Sequence, residues 1–439
     1  MTYDTIIIGG GFAGLATSVK LASAGHKIAL LEKRPFLGGR AYSFREPKTQ
    51  STVDNGQHLM MGCYHSTLEF LRIIGALPQL KFMERLEVTF RNTHRLAKLS
   101  CPNLPAPFHL LSGLLKFKNF SAQEKWRAIK MMLWVKLNRL PSDLDSMTVI
   151  DFLNQQGQSQ HAIQEFWEPI VLATINEDIH IASSALFIEV LRRGLLASKK
   201  DSQLIISQVG LSKLYVEPAL KFLNQYEAKV YTQCQMQSVE RLANDWLVKD
   251  FNGNEYRGHH LVLAVPPTAL KKIALPENLR INLEILKPSP ILSINLWLKD
   301  WQAPEMFCGL LKSPLHWLFD KTQVFHEPES PLSFVISASH FMAKKTNQEL
   351  VEMALEELHK IFPDSRNKAL LHSQVIREFE ATFANQTNCA HQRPTTQTIL
   401  PHLYLAGDWT ATGLPSTIES AVLSGFKASD AITRRTASF

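Results

Sequence analysis

The sequence predicts an α/β fold, a doubly wound parallel sheet contributed by both ends of the chain, and three features carry that prediction. Residues 3–34 read as strand, glycine turn, helix, strand and acid in immediate succession. Residues 402–432 read as apolar strand, Gly-Asp, polar loop and helix. Between them, 204–267 hold further apolar strand runs, the last closed by Pro266-Pro267. The 439-residue length allows two domains, or one large core with a second interleaved. A hydrophobic share of 45% against 20% charged is that of a globular chain able to bury such a core.

The first unit is "YDTIIIGGGFAGLATSVKLASAGHKIALLEKR". Ile6-Ile7-Ile8 is a short buried-strand run, and Gly9-x-Gly11-x-x-Gly14 leads from it into a helix. Gly9 permits the tight turn, Gly11 lets the backbone approach a pyrophosphate, and Gly14 allows close helix–strand packing. The helix opening at Phe12 and Ala13 offers free N–H groups and a positive dipole end to phosphates. Gly25-His26 ends that helix and Lys27 to Leu31 form the second strand. Glu32 lies eighteen residues past Gly14, with Lys33 beside it, where an acid accepts hydrogen bonds from ribose hydroxyls. A dinucleotide site follows. Its type is indicated by "RPFLGGRAYSF", where Arg34 and Gly38-Gly39-Arg40 come directly after the acid. The stretch resembles the turn that, in large flavoproteins, folds over the pyrophosphate and brings an arginine to the flavin, which implies FAD.

The second unit, "LIISQVGLSKLYVEPALKFLNQYEAKVYTQCQMQSVERL", reads as a strand, a glycine loop, a helix and a strand ending at Val239. "HLVLAVPP" is a further apolar strand. The C-terminal unit, "HLYLAGDWTATGLPSTIESAVLSGFKASDAI", places a helix start near Ser416, with Glu419 spaced to close a capping box. No second glycine fingerprint marks a separate nicotinamide domain.

Other features bound the function. The five cysteines are scattered, which argues against a disulfide framework or a structural zinc site and fits a reducing cytoplasm. No signal-peptide pattern opens the chain, and no run of eighteen apolar residues suggests a membrane span. The formal net charge is +7. Its local surplus is 112–140, where seven residues are Lys or Arg and only Glu124 is acidic. Trp126, Ile129, Leu133, Leu137 and Leu140 share a helical face there. Such a helix either lies in an anionic membrane interface or packs as a lid. Nucleic acid is not expected, because no reading motif accompanies the charge.

With both ends in view, the chain resembles the flavin amine oxidase and phytoene desaturase superfamily along its whole length. Within it, "DNGQHLMMGCY", "FWEPIVLATINEDIHIAS", "GLSKLYVEPAL" and "AGDWTATGLPSTIESAVLSG" are similar to the squalene-associated branch, the hydroxysqualene dehydroxylases. The resemblance implies a Rossmann-like FAD-binding part gathered from 1–84, 207–268 and 396–439. A mixed helix and antiparallel-sheet substrate part, from 85–206 and 269–395, would be interleaved with it. It implies that the backbone at Val239 pairs with adenine and that Asp408, after Gly407, binds the FAD linker. Thr417, Ile418 and Glu419 would offer helix N–H groups to the flavin, where the dipole favours the anion of its reduced form. Asn55, Gly56, Gln57 and His58 would pass beside the flavin ring.

The implied reaction is reductive removal of the allylic hydroxyl of hydroxysqualene, a polyisoprenoid, with an electron donor still to be identified. Hydroxide leaves poorly, so an acid must protonate it. His58 is the first candidate, directly or through water, with Tyr64 a distant second, and Gln57 a weaker one whose simpler role is to hold the loop. No metal is expected. A desaturase would move hydride from substrate to flavin and need no such acid. An amine oxidase would use the same cofactor fold around an amine, and a flavin-binding carrier would show no redox change with any isoprenoid. The expected location is cytoplasmic, with 112–140 able to bring the protein to the inner face of the membrane.

Overall fold

The strand Thr2–Ile8 is apolar on both faces from Ile6 to Ile8, as a strand covered by helices on both sides must be. In the chain's computed structural model, which describes residues 2–138, 141–327 and 329–436, it lies at the centre of a seven-stranded sheet. Lys229–Tyr231, Ile28–Leu31, Thr2–Ile8 and Glu255–Leu263 run parallel in that order, and Leu403–Leu405 pairs in parallel with the last residues of Glu255–Leu263. The first residues of Glu255–Leu263 instead pair antiparallel with Trp246–Asp250, which continues to Met236–Arg241. The helices Phe12–Ser23 and Ile418–Thr436 pack together on one face. A Cβ on Gly425 would come within 2.4 Å of the Ala13 carbonyl oxygen, so only glycine permits that approach.

A second seven-stranded sheet is mixed. Its order is Leu370–Phe383, Pro288–Leu298, Leu332–Ile336, Trp317–Asp320, Phe307–Leu310, Glu87–Arg91 and Leu96–Ser100. Every pair is antiparallel except Phe307–Leu310 with Glu87–Arg91. One face is covered by the helix Asn347–Ile361, which begins at a Thr346/Glu349 capping box and buries Leu350, Ala354 and Leu358. From the other face Phe90, Trp317, Phe319 and Val335 join a buried cluster with Phe117, Phe166 and Trp167. That second face is one wall of the large cavity described below. The α/β and α+β architecture expected from the sequence is therefore present.

Three local expectations are corrected. The run toward Val239 holds two strands, Lys229–Tyr231 and Met236–Arg241, separated by a loop through Cys234. Leu204–Ser207 pairs with Leu59–Met61 and Leu80–Phe82 in a separate three-stranded sheet. Residues 112–140 do not form one helix. Phe108–Lys116 ends where Phe117 turns extended, and Ala122–Leu137 starts afresh at a Ser121/Glu124 capping box. That second helix buries Ala128, Met131, Met132 and Val135, leaving Trp126 and Leu137 65% and 76% exposed. Leu140 lies outside the described residues. Among the described residues no helix is long and apolar enough to cross a membrane.

Candidate active site

Five parallel strands end at one cavity of about 550 Å³. Ile8, Leu31, Ala264 and Gly407 line it from the strand ends, with Cys234 and Met236 after the fifth strand. Loops after the carboxyl ends of parallel strands are where such sheets bind ligands.

The glycine turn is shaped for a close-lying ligand. Gly9 holds φ +110°, and a Cβ there would lie 2.6 Å from the Ala264 carbonyl oxygen. At Gly14 a Cβ would meet the Gly9 carbonyl oxygen at 1.8 Å, so this glycine serves packing and does not line the cavity. The helix after Gly11 has no side-chain cap, which leaves the N–H groups at Phe12 and Ala13 facing a cavity that both residues line. Glu32 bridges the turn, accepting from Gly10 N at 2.8 Å and Arg34 N at 2.9 Å. Its carboxylate oxygens keep lone pairs for further donors. Lys33 and Arg34 also line the cavity, and Arg34 donates to the Gly39 carbonyl at 2.9 Å. Gly38 is tied to Gly10 by a 2.8 Å backbone hydrogen bond. Tyr215, which the sequence reading missed, holds this second turn with its hydroxyl 2.7 Å from the carbonyls of Gly38 and Ala41. Its ring stacks on Phe12 at 3.7 Å between centroids.

Arg40 joins the two ends of the chain through an ion pair with Asp408. Asp408 also accepts from the Ser416 hydroxyl, so Ser416 does not cap the last helix. That helix starts at Ile418, and Thr417 Oγ1 accepts from Ser420 N at 3.2 Å. Thr417 and Ile418 line the cavity; Glu419 does not. Its carboxylate instead accepts from Ser66 N at 2.9 Å and Thr67 N at 2.8 Å, capping the neighbouring helix His65–Ile73. The expected capping box is thereby replaced by a cross-link between helices.

Residues 55–64 run along the cavity, with Asn55, Gly56, Gln57, His58 and Tyr64 all on its wall. Asn55 ties this segment to the Arg40 turn by donating to the Arg40 carbonyl and accepting from Tyr42 N. Gln57 is anchored from behind. Its Oε1 accepts from the buried ammonium of Lys321, which lies 2.8 Å from Asp54. With its oxygen so engaged, the Gln57 amide turns its two N–H donors to other partners. His58 Nδ1 lies 2.8 Å from the Gly56 carbonyl, an acceptor, so that nitrogen carries the proton. Burial lowers the His58 pKa, opposed by the Asp54 charge. The neutral ring therefore offers Nε2 as an acceptor. Burial raises the Tyr64 phenol above its ordinary range, and Thr417 is its hydrogen-bond partner. Beyond these groups the wall turns apolar, with Leu59, Met61, Phe90, Phe166, Ile170 and Trp317.

Residues 12–433 match the family model described as flavin containing amine oxidoreductase. The chain belongs to that family. A hydroxysqualene dehydroxylase of Rhodopseudomonas palustris is 29% identical across 98% of this chain and 99% of its own length. One from Zymomonas mobilis is 24% identical across 97% and 98%. A 15-cis-phytoene desaturase of an Oncidium hybrid is 26% identical over 98% of this chain but 78% of its own. Among solved structures, an oxidoreductase from Methanosarcina mazei superposes with TM-score 0.76 at 15% identity, covering 97% of this chain and 99% of that one. Cyclohexylamine oxidase from Brevibacterium oxydans gives 0.72 at 16%, covering both chains fully.

Membership of this flavin family makes the protein an FAD-dependent oxidoreductase, and the residues present fit that cofactor. Two positive-φ glycine turns approach each other so closely that a Cβ on Gly39 would lie 3.0 Å from the Gly11 Cα, which keeps side chains out of the cradle. Uncapped helix N–H groups supply the anion donors that a pyrophosphate needs. Of the expected contacts, Gly14 and Glu419 do not line the cavity, and neither does Val239. Its N–H is taken by the Ala274 carbonyl at 2.9 Å and its side chain is in the core, while Cys234, Gln235 and Met236 line the cavity. Val239 lies in Met236–Arg241, a strand that the sequence reading merged with Lys229–Tyr231. Lys321 and Asp54 were missed as well. Lys321 stands beside Asp320 in the apolar run "HWLFDKTQVF", and Asp54 opens "DNGQHLMMGCY", so nothing local in the sequence pairs the two.

Proposed function

We propose that this chain is a hydroxysqualene dehydroxylase, removing the allylic hydroxyl of hydroxysqualene to give squalene and water. The observation that carries this reading is the single cavity in which the glycine cradle continues into an apolar wall, with Gln57, His58 and Tyr64 on it. A polyisoprenoid needs such a wall and only a few polar groups, placed at its one hydroxyl. The match to hydroxysqualene dehydroxylases at 24% and 29% identity over nearly the full length of both chains supports the same choice.

Reduced FAD, when bound, supplies hydride and its two electrons to the carbon that loses oxygen. His58 in its imidazolium form delivers the proton to the departing hydroxyl, so that water leaves and the charge balances. Gln57, held by Lys321, positions the hydroxyl with an N–H donor. The apolar wall keeps solvent water from the cationic carbon. Thr417 and Ile418 present helix N–H groups to the flavin, and Asp408, steered by Arg40, binds its linker. Residues 1–84, 207–268 and 396–439 form the flavin part, and 85–206 with 269–395 the substrate part. The helix Ala122–Leu137 brings Trp126 and Leu137, amid Lys125, Arg127 and Lys130, to an anionic membrane from which the substrate is drawn.

The 26% identity to a phytoene desaturase favours a second reading, isoprenoid desaturation, in which hydride leaves the substrate. Parallel assays separate the two. Chemically reduced enzyme is given hydroxysqualene, oxidised enzyme is given phytoene, and the lipids are analysed. Squalene from the first and unchanged phytoene in the second support dehydroxylation. The reverse pattern assigns the protein to the desaturases.

A further inference from the structure

Three imidazoles meet on the side of the main sheet remote from the glycine turns. His259 and His260 are consecutive in Glu255–Leu263, at the two positions where the edge of that strand changes partner. Gly258 is the last residue paired with Trp246–Asp250, and Leu261 is the first paired with Leu403–Leu405. His402, at φ +64° in the turn before Leu403, sits beside this gap, its carbonyl accepting from Leu261 N at 2.9 Å. The ligand nitrogens of all three rings lie within 4.8 Å of one another. Nδ1 of His260 and Nδ1 of His402 are 3.3 Å apart. Two nitrogens held about 2.0–2.1 Å from one tetrahedral zinc are about 3.3–3.4 Å apart, so this pair already has the spacing of a ligand edge. Behind the third ring, Asp245 Oδ1 lies 3.6 Å from His259 Nδ1. At 3.6 Å this carboxylate is not yet hydrogen-bonded to the ring, and its other oxygen accepts from Arg257 Nε at 2.7 Å. Closing onto Nδ1 when a metal binds would fix the tautomer that leaves Nε2 for it.

We propose that His259, His260 and His402 form a binding site for zinc or another divalent first-row transition metal, with Asp245 as the orienting carboxylate and water in the fourth position. Three neutral imidazoles suit Zn(II), Cu(II), Ni(II) and Co(II), and do not suit Mg(II) or Ca(II). The site is separate from the flavin cavity. His260 is four residues before Ala264, which lines that cavity, and four residues of strand span roughly 13 Å. The metal therefore takes no part in hydride chemistry. It staples the C-terminal segment that carries Gly407 and Asp408 to the strand Glu255–Leu263.

The test uses tag-free, flavin-loaded full-length protein stripped of metal by chelator, then titrated with Zn(II) and separately with Mg(II). The expected result is one Zn(II) per chain by calorimetry and elemental analysis, a raised unfolding temperature, and no response to Mg(II). Asp245→Asn should weaken Zn(II) binding about 10- to 100-fold, the usual effect of losing such a partner. His259→Ala, at a half-exposed position, and His402→Asn, which keeps a residue tolerant of the left-handed turn, should weaken it further. The flavin spectrum reports that each variant has folded. Absence of micromolar Zn(II) binding, or binding that these substitutions leave unchanged, overturns the proposal.

Discussion

The ammonium of Lys321 lies 2.8 Å from the carboxylate of Asp54, with the two side chains only 3% and 5% exposed. Asp54 also accepts from Leu211 N at 3.0 Å, and Lys321 lies 3.8 Å from the centre of the Phe325 ring. The pair thus ties the segment before Gln57 to the second sheet and to the loop at Leu211. Burial lowers the Lys321 pKa and Asp54 pulls it back up. Removing one partner of such a pair strands the other. Lys321→Met is expected to cost about 3–5 kcal/mol in urea unfolding, and adding Asp54→Leu should recover part of it. A Lys321→Met protein as stable as the parent would remove this role.

His58 should impose a pH dependence on turnover. Because burial lowers its pKa, the imidazolium that donates the proton becomes scarce above a pH below the usual value near 6.5. The rate of squalene formation at saturating reductant should therefore fall as pH rises, with an apparent pKa under about 6.5. His58→Gln should lower the rate about 10²- to 10⁴-fold and abolish that limb. A variant that turns over normally, or a limb unchanged by the substitution, would take the acid's role from His58.

Glu177 predicts a pH-dependent stability. It is 1% exposed, its Oε2 has no hydrogen-bond partner, and burial with the neighbouring Asp178 charge pushes its pKa up to about 7. The folded state therefore binds this proton more tightly than the unfolded chain, and stability falls as pH rises from about 4.5 to 7. Glu177→Gln should raise stability at pH 8 by up to about 3 kcal/mol and flatten that fall. Chemical denaturation at pH 5 and pH 8 checks it; equal effects at both values would contradict the assignment.

Membrane pick-up makes a separate prediction for the helix Ala122–Leu137. Vesicles containing anionic lipid should sediment the protein, and vesicles of zwitterionic lipid alone should do so far less. Trp126→Ser with Leu137→Ser should weaken that binding without changing stability, since both side chains are largely exposed. Equal binding of parent and variant would show that the helix serves only as a lid.

Much of the flavin side was legible because its chemistry constrains backbone. Gly9, Gly14 and Gly39 each stand where a Cβ meets main-chain atoms, so the motif is visible in the letters. The reaction side was legible only through short polar runs such as Asn55 to His58. The contacts that orient those residues come from residues distant in sequence, as Lys321 reaches Gln57 across 264 positions. Periodicity failed for a different reason at the basic helix. Trp126, Ile129, Leu133 and Leu137, which it grouped as one apolar face, are partly or largely exposed, and the buried face is formed by Ala128, Met131, Met132 and Val135. Glu419 fits a local capping box in the sequence, but a neighbouring helix with free N–H groups takes its carboxylate. The strands on either side of Cys234 read as one because the loop between them carries neither glycine nor proline to mark a break.

The most direct test of the reductive reading is anaerobic. The bound flavin is reduced chemically, mixed with hydroxysqualene in the absence of oxygen, and followed by its visible spectrum while the lipid is analysed. The account predicts return of the oxidised flavin spectrum with one squalene formed per flavin. A flavin that stays reduced with hydroxysqualene, together with bleaching of the oxidised enzyme by phytoene, would contradict it.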